Sequence, residues 1–520
     1  MTTTRATLIR RLLTVVVGVA VASVTLNACL FTPIEFGKKS ASPSNGPDTS
    51  GVPAELKPFY SQTVAWHACN GDDDCGRVSV PLDWTAPAQG RMQLAVIRHR
   101  ASDGSPKGAL LVNPGGPGAS GVQLVRDSVE YAVGADLEKN YDVIGFDPRG
   151  VGESRPAVKC YDATEMDAFL FDLPTQKRNT SAWVAEELSN FKRFGQACDR
   201  SSAGILAHID TVSAARDMDV IRAALGQKKL DYLGYSYGTF LGATYAGLYP
   251  GRVGHMVLDG ALDPSASSLD VSVAQGVGFE SALRAYMAYC LKQKGCPFSG
   301  TVGDAMSDLG AMLAQVDANP QPNSDGRDLG ADSLMTAIVS ALYSQSSWKY
   351  LTQALDGVAN GDPSIAFQLA DFYYNRVDGR YEDNSFEAFN AYNCMDYPGG
   401  ETAAQIAAAQ QTLKRKAPTI APYWSVQVDT CSQWPIKNHV TRQQIHAPGA
   451  APIIVIGTSN DPATPYAWAK SLASQLDSGL LITRIGQGHT GFNKGNSCVD
   501  DAVNGYFLAG TTPQDGLVCR

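Results

Sequence analysis

The chain has 520 residues, of which 44% are hydrophobic and 18% are charged, with 50 glycines and 28 prolines. This balance excludes a disordered chain, a coiled coil and collagen, and it is typical of a globular protein with a large core. The formal net charge is -9, and the lysines and arginines form no clustered stripe, so nucleic acid is not an expected partner.

The first 28 residues have the pattern of an export signal. Three arginines flank an apolar stretch of 15 residues, 12–26, which is shorter than the roughly 20 residues that span a bilayer. The small residue Ala28 directly before Cys29 resembles a bacterial lipobox, in which the cysteine is acylated and becomes the new N-terminus. We therefore expect residues 1–28 to be a signal peptide and Cys29 to anchor an exported lipoprotein in the cell membrane, facing the envelope. Plain secretion and an uncleaved anchor are the alternatives.

A polar segment follows this signal. Residues 37–58 are rich in Ser, Gly and Pro, a composition that buries too little apolar surface to offset the entropy lost on ordering. We expect residues 29–64 to form the lipid anchor and a flexible tether.

The cysteines also indicate export. Of the eleven, Cys29 is set aside and ten remain, an even number, as expected where disulfides persist. A zinc site is the rival explanation, but the chain has no C-x-x-C and no nearby H-x-x-x-H pair, so no metal is expected. Proximity along the chain alone suggests five pairs: Cys69 with Cys75, Cys160 with Cys198, Cys290 with Cys296, Cys394 with Cys431, and Cys498 with Cys519.

Short apolar runs alternate with a helical pattern in the first half of the chain. Residues 209–225 carry apolar side chains at helical spacing and stop at Gly226, so a helix is expected there. The order strand, helix, strand predicts an α/β fold with a parallel sheet covered on both faces. The predicted strands are 109–113, 141–147, 230–234, 253–259, 452–457 and 480–485.

A glycine-rich turn over residues 113–118, with the sequence N-P-G-G-P-G, follows the first of these strands. It does not match the phosphate-binding patterns G-x-x-x-x-G-K-[ST] or G-x-G-x-x-G. Because glycines let a backbone approach a substrate closely, we expect the amide of Gly116, or that of Gly115 as second choice, to donate to a substrate oxygen. A plain turn is the alternative.

The sharpest motif is Gly234-Tyr235-Ser236-Tyr237-Gly238, which fits G-x-S-x-G. It lies between a predicted strand and a helix rich in small residues, a setting in which a tight turn holds a nucleophilic serine out at the edge of the sheet. We expect Ser236 to be the nucleophile and the amide of Tyr237 to supply one hydrogen bond to the oxyanion. An incidental glycine turn is the alternative.

The strand signal fades between residues 264 and 447. This segment is rich in Ala, Gln, Ser and aromatic residues, and 333–343 and 402–416 are expected to be helices. We predict a large helical cap over residues 264–447, inserted before the last two strands.

A nucleophilic serine needs a base beside it. The chain order Ser, Asp, His in this type of fold restricts that base to histidines after Ser236. His489 lies in a small-residue loop directly after the last predicted strand, whereas His439 and His446 lie among polar residues before the late strands. We therefore expect His489 to be the base, with a surface position in the loop as the alternative.

The base needs a carboxylate that orients it. Asp461 follows the strand 452–457, where a short turn would aim its carboxylate at His489. The alternative is that Asp461 only caps the helix that begins near Pro465, in which case Asp259 would be the acid.

These motifs together resemble secreted tripeptidyl aminopeptidases and their prolyl-iminopeptidase relatives. The resemblance covers about residues 65–520 and includes mycobacterial lipoproteins described as carboxylesterases or proteases. It implies an α/β-hydrolase core over 65–263 and 448–520, a helical cap between them, and hydrolysis at the N-terminus of peptides. The segments that carry it are 113–118, 146–154, 234–238, 258–260 and the loops around Asp461 and His489.

The chain departs from the family in its glycine turn. Asn113 and Pro114 stand where iminopeptidases commonly have a histidine, so any role of that histidine is absent. An exopeptidase must also bind a free α-ammonium, most simply with a carboxylate from the cap. Asp396, close to Cys394, is the candidate, and an ordinary surface acid is the alternative.

The expected function is therefore that of an exported serine hydrolase, an aminopeptidase that releases tripeptides through an acyl-enzyme and needs no cofactor. A carboxylesterase or lipase that acts on envelope acyl esters is the second hypothesis. A lipoprotein that binds peptides and has lost catalysis is the third, and the intact set Ser236, Asp461 and His489 argues against it.

Overall fold

A ten-stranded sheet forms the centre of the protein in the computed structural model, which describes residues 46–397, 399–438 and 442–520. The predicted signal peptide and Cys29 lie outside the described residues. The strands of this sheet and of two small hairpins are β1 (His67–Asn70), β2 (Asp73–Pro81), β3 (Arg91–His99), β4 (Ala109–Asn113), β5 (Asp142–Phe146), β6 (Leu230–Tyr235), β7 (Val253–Asp259), β8 (Gln321–Pro322), β9 (Asp328–Leu329), β10 (Arg376–Val377), β11 (Arg380–Tyr381), β12 (Ile453–Asn460), β13 (Gly479–Gln487) and β14 (Leu517–Cys519).

The order of strands in the sheet is β1-β2-β3-β5-β4-β6-β7-β12-β13-β14. The pairs β1-β2, β2-β3 and β3-β5 are antiparallel. Every other neighbouring pair of the sheet is parallel. Parallel strands need helices on both faces, and this sheet has them. The helices are α1 (Lys57–Tyr60), α2 (Gly121–Asn140), α3 (Ala163–Phe171), α4 (Ser181–Ser201), α5 (Thr211–Ala224), α6 (Tyr237–Leu248), α7 (Ser268–Cys290), α8 (Val302–Ala318), α9 (Ala331–Leu342), α10 (Trp348–Ala359), α11 (Ser364–Tyr373), α12 (Ser385–Asp396), α13 (Ala403–Lys416), α14 (Tyr466–Gln475) and α15 (Ser497–Ala509).

The α/β-hydrolase fold class predicted from the sequence is confirmed. All six predicted strands are present, and β4 and β7 have the predicted bounds. Strand β12 runs to Asn460, three residues beyond its predicted end, because polar residues continue the ladder after the apolar run. Thr458 is fully buried there, and its hydroxyl donates to the carbonyl of Thr490 at 2.8 Å.

The segment between β7 and β12 contains seven helices, α7 to α13, and the two hairpins in its described part. It packs around a hydrophobic cluster of its own, in which Tyr286, Leu309, Leu334 and Leu351 are fully buried. The two helices expected here are present as α9 and α13. The domain boundaries at 264 and 447 stay predictions.

The predicted tether is wrong over its last part. Phe59 and Tyr60 of α1 are each only 2% exposed, and the Tyr60 hydroxyl donates to Asp219 at 2.7 Å. Asp48 forms a 2.9 Å ion pair with the fully buried Arg222. Two buried aromatic rings and one ion pair thus attach residues 48–60 to the core of the protein, although the average composition of this segment is that of a linker.

The five disulfides pair as predicted, with Cα–Cα separations from 3.8 to 5.7 Å. Each bond closes a loop and so restricts the unfolded chain. Among the described residues, no helix is both long enough and apolar enough to cross a membrane.

Candidate active site

The turn between β6 and α6 presents Ser236 at the carboxyl edge of the sheet. Ser236 has φ 55° and ψ -123°, a strained conformation for a residue with a side chain. Its amide donates to the carbonyl of Asp259 on the next strand at 2.9 Å. A Cβ at Gly234 would lie 2.5 Å from the carbonyl oxygen of Gly238, so the motif needs glycine there. The turn therefore holds the Ser236 hydroxyl out, half-buried, above the strands.

Two backbone amides near this serine are free. Tyr237 is the first residue of α6, so its N–H has no partner within the helix, and the N–H of Gly116 donates to no described residue. The Gly115 amide instead donates to Oδ1 of Asn113 at 3.0 Å. A Cβ at Gly115 would lie 2.9 Å from Cβ of Ser236 and 3.1 Å from N of Tyr237, so the glycine turn lies directly against the serine turn.

The His489 ring bonds Asp461 on one side and nothing on the other. Its Nδ1 lies 2.9 and 3.0 Å from the two carboxylate oxygens of Asp461. Its Nε2 is buried and has no hydrogen-bond partner among the described residues. The ring lies against the end of β7, since a Cβ at Gly260 would lie 3.1 Å from its Cε1. The residue before Gly260 is Asp259, whose carbonyl accepts the amide of Ser236.

Asp461 is buried and holds several donors besides the imidazole. Oδ1 accepts from the amides of Ala463 and Thr464, and Oδ2 accepts from the Thr464 hydroxyl at 2.9 Å and from the amide of Thr490 at 3.1 Å. Asp461 therefore closes its own turn and bonds His489, but it does not cap α14, whose N-cap is Pro465 with no side-chain hydrogen bond. These bonds fix the carboxylate and, through it, the plane of the ring.

The charges around His489 favour its protonated form. Burial lowers the pKa of the imidazole, but the nearby Asp461 charge and its hydrogen bond outweigh burial, and the net effect raises the pKa above 6.5. Asp259 acts in the same direction, and Lys494 opposes it.

Asp259 does not bond the imidazole. Its carboxylate accepts the amides of Gly491 and Phe492 at 2.8 to 2.9 Å, in the loop that carries His489. Its backbone carbonyl accepts the amide of Ser236. Burial raises the Asp259 pKa to about 6, although these backbone bonds lower it. One residue therefore fixes both the serine turn and the histidine loop.

Asp396 is buried and is linked to the side chain of Tyr237 through Thr211. It is 5% exposed, and its oxygens accept the amide and the hydroxyl of Thr211 at 3.0 and 2.6 Å. The Thr211 hydroxyl also bonds the Tyr237 hydroxyl. Burial raises the Asp396 pKa to about 7. An α-ammonium would reach this carboxylate only by displacing Thr211.

His446 is exposed, and His439 lies outside the described residues. Over the described part of the chain, no three His, Cys, Asp or Glu side chains are grouped to hold a metal ion.

Comparison with known proteins gives the family. A model described as TAP-like protein matches residues 417–519. The serine protease Hip1 of Mycobacterium tuberculosis is 35% identical over 488 residues, which cover 89% of this chain and 92% of Hip1. Carboxylesterase B of the same organism is 40% identical and matches 89% of this chain and 91% of its own length. The tripeptidyl aminopeptidase of Streptomyces lividans is 30% identical, with 88% and 86% covered.

The chain belongs to this TAP-like family of serine hydrolases. Among solved structures, an α/β hydrolase fold protein from Chitinophaga pinensis covers 87% of this chain and 98% of its own, at 14% identity and a TM-score of 0.34. The family resemblance inferred from the sequence motifs is confirmed by the relatives of 30% identity or more.

Two residues of this hydrolase's site were not found from the sequence. The Thr464 hydroxyl lies 3.2 Å from Nδ1 of His489, and only its spacing of three residues from Asp461 signals it. The carbonyl of Tyr343, after α9, accepts the amide of His489 at 2.8 Å, and the two rings pack edge to face at 5.3 Å. No local pattern signals Tyr343, since the contact joins segments far apart in the chain.

Replacing Asp259 by asparagine in the hydrolase is expected to lower kcat about tenfold with little change in KM. An amide accepts fewer hydrogen bonds than a carboxylate, so the His489 loop is held less firmly, and a small misplacement of the base slows the reaction. The folded-state pKa of Asp259 is raised, so its ionisation costs stability as the pH rises through about 6. Asp259→Asn should therefore unfold at pH 8 no more readily than wild type. Equal kcat values for wild type and Asp259→Asn, or a loss of thermal stability in the variant that parallels its loss of kcat, would contradict a positioning role for Asp259.

Proposed function

We propose that Ser236, His489 and Asp461 are the catalytic triad of this serine hydrolase. The observation that carries the proposal is the His489 ring, which is bonded to Asp461 through Nδ1 and leaves Nε2 buried and without a partner among the described residues. The ring lies against Gly260, which follows the residue that accepts the Ser236 amide. A base in free enzyme often lies beyond hydrogen-bond distance of its nucleophile and closes on it when substrate binds.

The proposed reaction is acyl transfer through a covalent intermediate. Nε2 of His489 takes the proton of Ser236 as Oγ attacks the substrate carbonyl carbon, and Asp461 stabilises the imidazolium. The free amides of Gly116 and Tyr237 donate to the oxygen that becomes negative. His489 then gives the proton to the leaving amine or alcohol, and water attacks the acyl-enzyme by the same steps, releasing the acid and Ser236.

Asp396 supports this site rather than binding substrate. It bonds Thr211, which in turn bonds the side chain of Tyr237, the residue whose amide is proposed to bind the oxyanion. This chain of hydrogen bonds fixes the first turn of α6 from below.

For the substrate, we propose that the enzyme releases tripeptides from the N-termini of peptides. The name of the Streptomyces lividans relative, together with that of the protease Hip1, supports peptide substrates. The second candidate is ester hydrolysis, favoured by the 40% identity with carboxylesterase B. Export through the signal peptide and anchoring at Cys29 complete the proposal.

A tripeptide anilide with a free amine and its N-acetylated form separate these two activities. An aminopeptidase should lose about 100-fold or more in kcat/KM when the amine is blocked, because acetylation removes the charged α-ammonium that an exopeptidase must bind. Release of the aniline is followed by absorbance, with a short-chain nitrophenyl ester as the parallel substrate. Equal rates on both anilides, with faster cleavage of the ester, would favour the esterase.

A further inference from the structure

A cleft of about 1010 Å³ lies between α7 and α13, next to the loop of the catalytic acid. Its walls are mixed, with the apolar side chains of Val273 and Val277 on one side and Ala409 on the other, beside polar and charged side chains. One end reaches Pro465, which directly follows Thr464, a residue hydrogen-bonded to Asp461. A cleft that combines apolar walls with polar groups of fixed position is a common form of ligand site.

The guanidinium of Arg442 lines this cleft, clamped between two aromatic rings. Its Cζ lies 3.9 Å from the ring centroid of Phe240 and 4.4 Å from that of Tyr397. Phe240 is four residues after Ser236 on α6, about one helical turn from the nucleophile. The two rings fix the plane of the guanidinium, so its N–H groups point in set directions.

This guanidinium forms no ion pair with a described residue, although it lies close enough to Asp396 for its charge to act to lower the pKa of that carboxyl. Nη2 makes one long hydrogen bond, 3.4 Å, to the carbonyl of Asp263, and the buried Nε and Nη1 make none. The nearest acids are committed elsewhere, because the Asp263 carboxylate accepts from Ser265 and Gln475 and Asp396 accepts from Thr211. Burying charged N–H donors costs free energy unless they are paired. The unpaired Nε and Nη1 of Arg442 therefore point to an anion that binds there.

The other charged groups of the cleft do not neutralise Arg442. Asp270 and Glu401 line it, but neither forms an ion pair with the guanidinium, and Asp270 bonds Ser267 in a helix cap. Lys416 at the end of α13 adds a second positive charge.

We propose that Arg442 is a carboxylate-binding subsite for peptide substrates. The planar fork of a guanidinium matches the two oxygens of a carboxylate, which would satisfy the free N–H groups. Peptides carry this group at the C-terminus and on acidic side chains, and both sources present the same chemistry. The inference rests on the proposed peptidase function and adds a preference for substrates with a carboxylate at a set distance from the scissile bond.

The test measures binding, which does not require turnover. Hexa-alanine with a free C-terminal carboxylate is compared with its C-terminal amide, and single glutamate or glutamine residues are placed at each position of the amide form. Dissociation constants are measured by calorimetry on Ser236→Ala, alone and combined with Arg442→Gln. We expect at least one carboxylate peptide to bind about tenfold more tightly than its uncharged counterpart, and this preference to vanish in Arg442→Gln. The position of the preferred carboxylate identifies its source.

A matched control is Arg415→Gln, which removes an exposed arginine of α13 that does not line the cleft. The carboxylate preference should survive in this control. If Arg442→Gln does not fold, Arg442→Lys decides the matter, since it keeps the charge without the fork and should reduce the preference roughly threefold or more.

The subsite is refuted if no carboxylate peptide binds more than twofold better than its uncharged counterpart, or if the preference persists without the Arg442 guanidinium. Failure of the peptidase proposal looks different. The wild-type enzyme would then leave every peptide of the series uncut, whatever Arg442 binds.

Discussion

Replacing Ser236 by alanine should abolish turnover, with kcat falling about a million-fold, because the nucleophile that forms the acyl-enzyme is removed. The fold should not change, since Ser236 contributes to the turn through its backbone and its hydroxyl makes no hydrogen bond with the described residues. Burst kinetics with a nitrophenyl ester measure the loss. Alanine at this position also keeps the strained φ, so thermal stability should stay close to wild type.

A fluorophosphonate probe provides the control for this variant. It should label one serine per wild-type molecule, and mass spectrometry should place the label on the peptide containing Ser236. Ser236→Ala should take up no label. Hydrolysis by Ser236→Ala near the wild-type rate, or a label on another serine, would show that the catalytic centre lies elsewhere.

Replacing Asp461 by asparagine should lower kcat about ten-thousand-fold, because the amide no longer holds His489 in the tautomer that leaves Nε2 free to accept a proton. The same variant should also move the pH dependence of kcat/KM to lower pH. His489 must be neutral to act as base, and its pKa is raised above 6.5 chiefly by Asp461 acting against burial. The rising limb of kcat/KM should therefore lie above pH 6.5 in wild type and move to lower pH in Asp461→Asn.

Asp259→Asn is the matched control for this shift. Asp259 makes a smaller contribution to the His489 pKa and does not bond the ring, so its loss should move the limb less than the loss of Asp461. If the rising limb stays in place in Asp461→Asn, or moves further in Asp259→Asn, then Asp461 is not the carboxylate that orients His489.

Much of this site follows from the sequence because its parts stand directly after strands. Ser236 and Asp461 follow buried strands, His489 follows the strand β13, and the carboxyl ends of parallel strands meet at one edge of a sheet. The choice of Gly116 over Gly115 also follows from local chemistry, once the Asn113 side chain is seen to take up the Gly115 amide.

The rest depends on how segments far apart in the chain pack together. The placement of Asp396 under Tyr237 and the contact of Tyr343 with His489 depend on how the helices between β7 and β12 lie on the sheet. No periodic pattern encodes that placement. The attachment of Tyr60 to Asp219 was missed for a related reason, since two well-placed side chains outweigh the linker-like composition around them.

The hydrogen bond from the His489 amide to the Tyr343 carbonyl limits how this enzyme can be engineered. A trimmed version that keeps only the sheet and its flanking helices would lose one of the hydrogen bonds that hold the proposed base, His489. Exchanging the inserted helices with those of a relative would carry the same penalty unless the donor offered a carbonyl at the same point. Changes of specificity are therefore better sought by single substitutions on the inserted helices than by wholesale grafts.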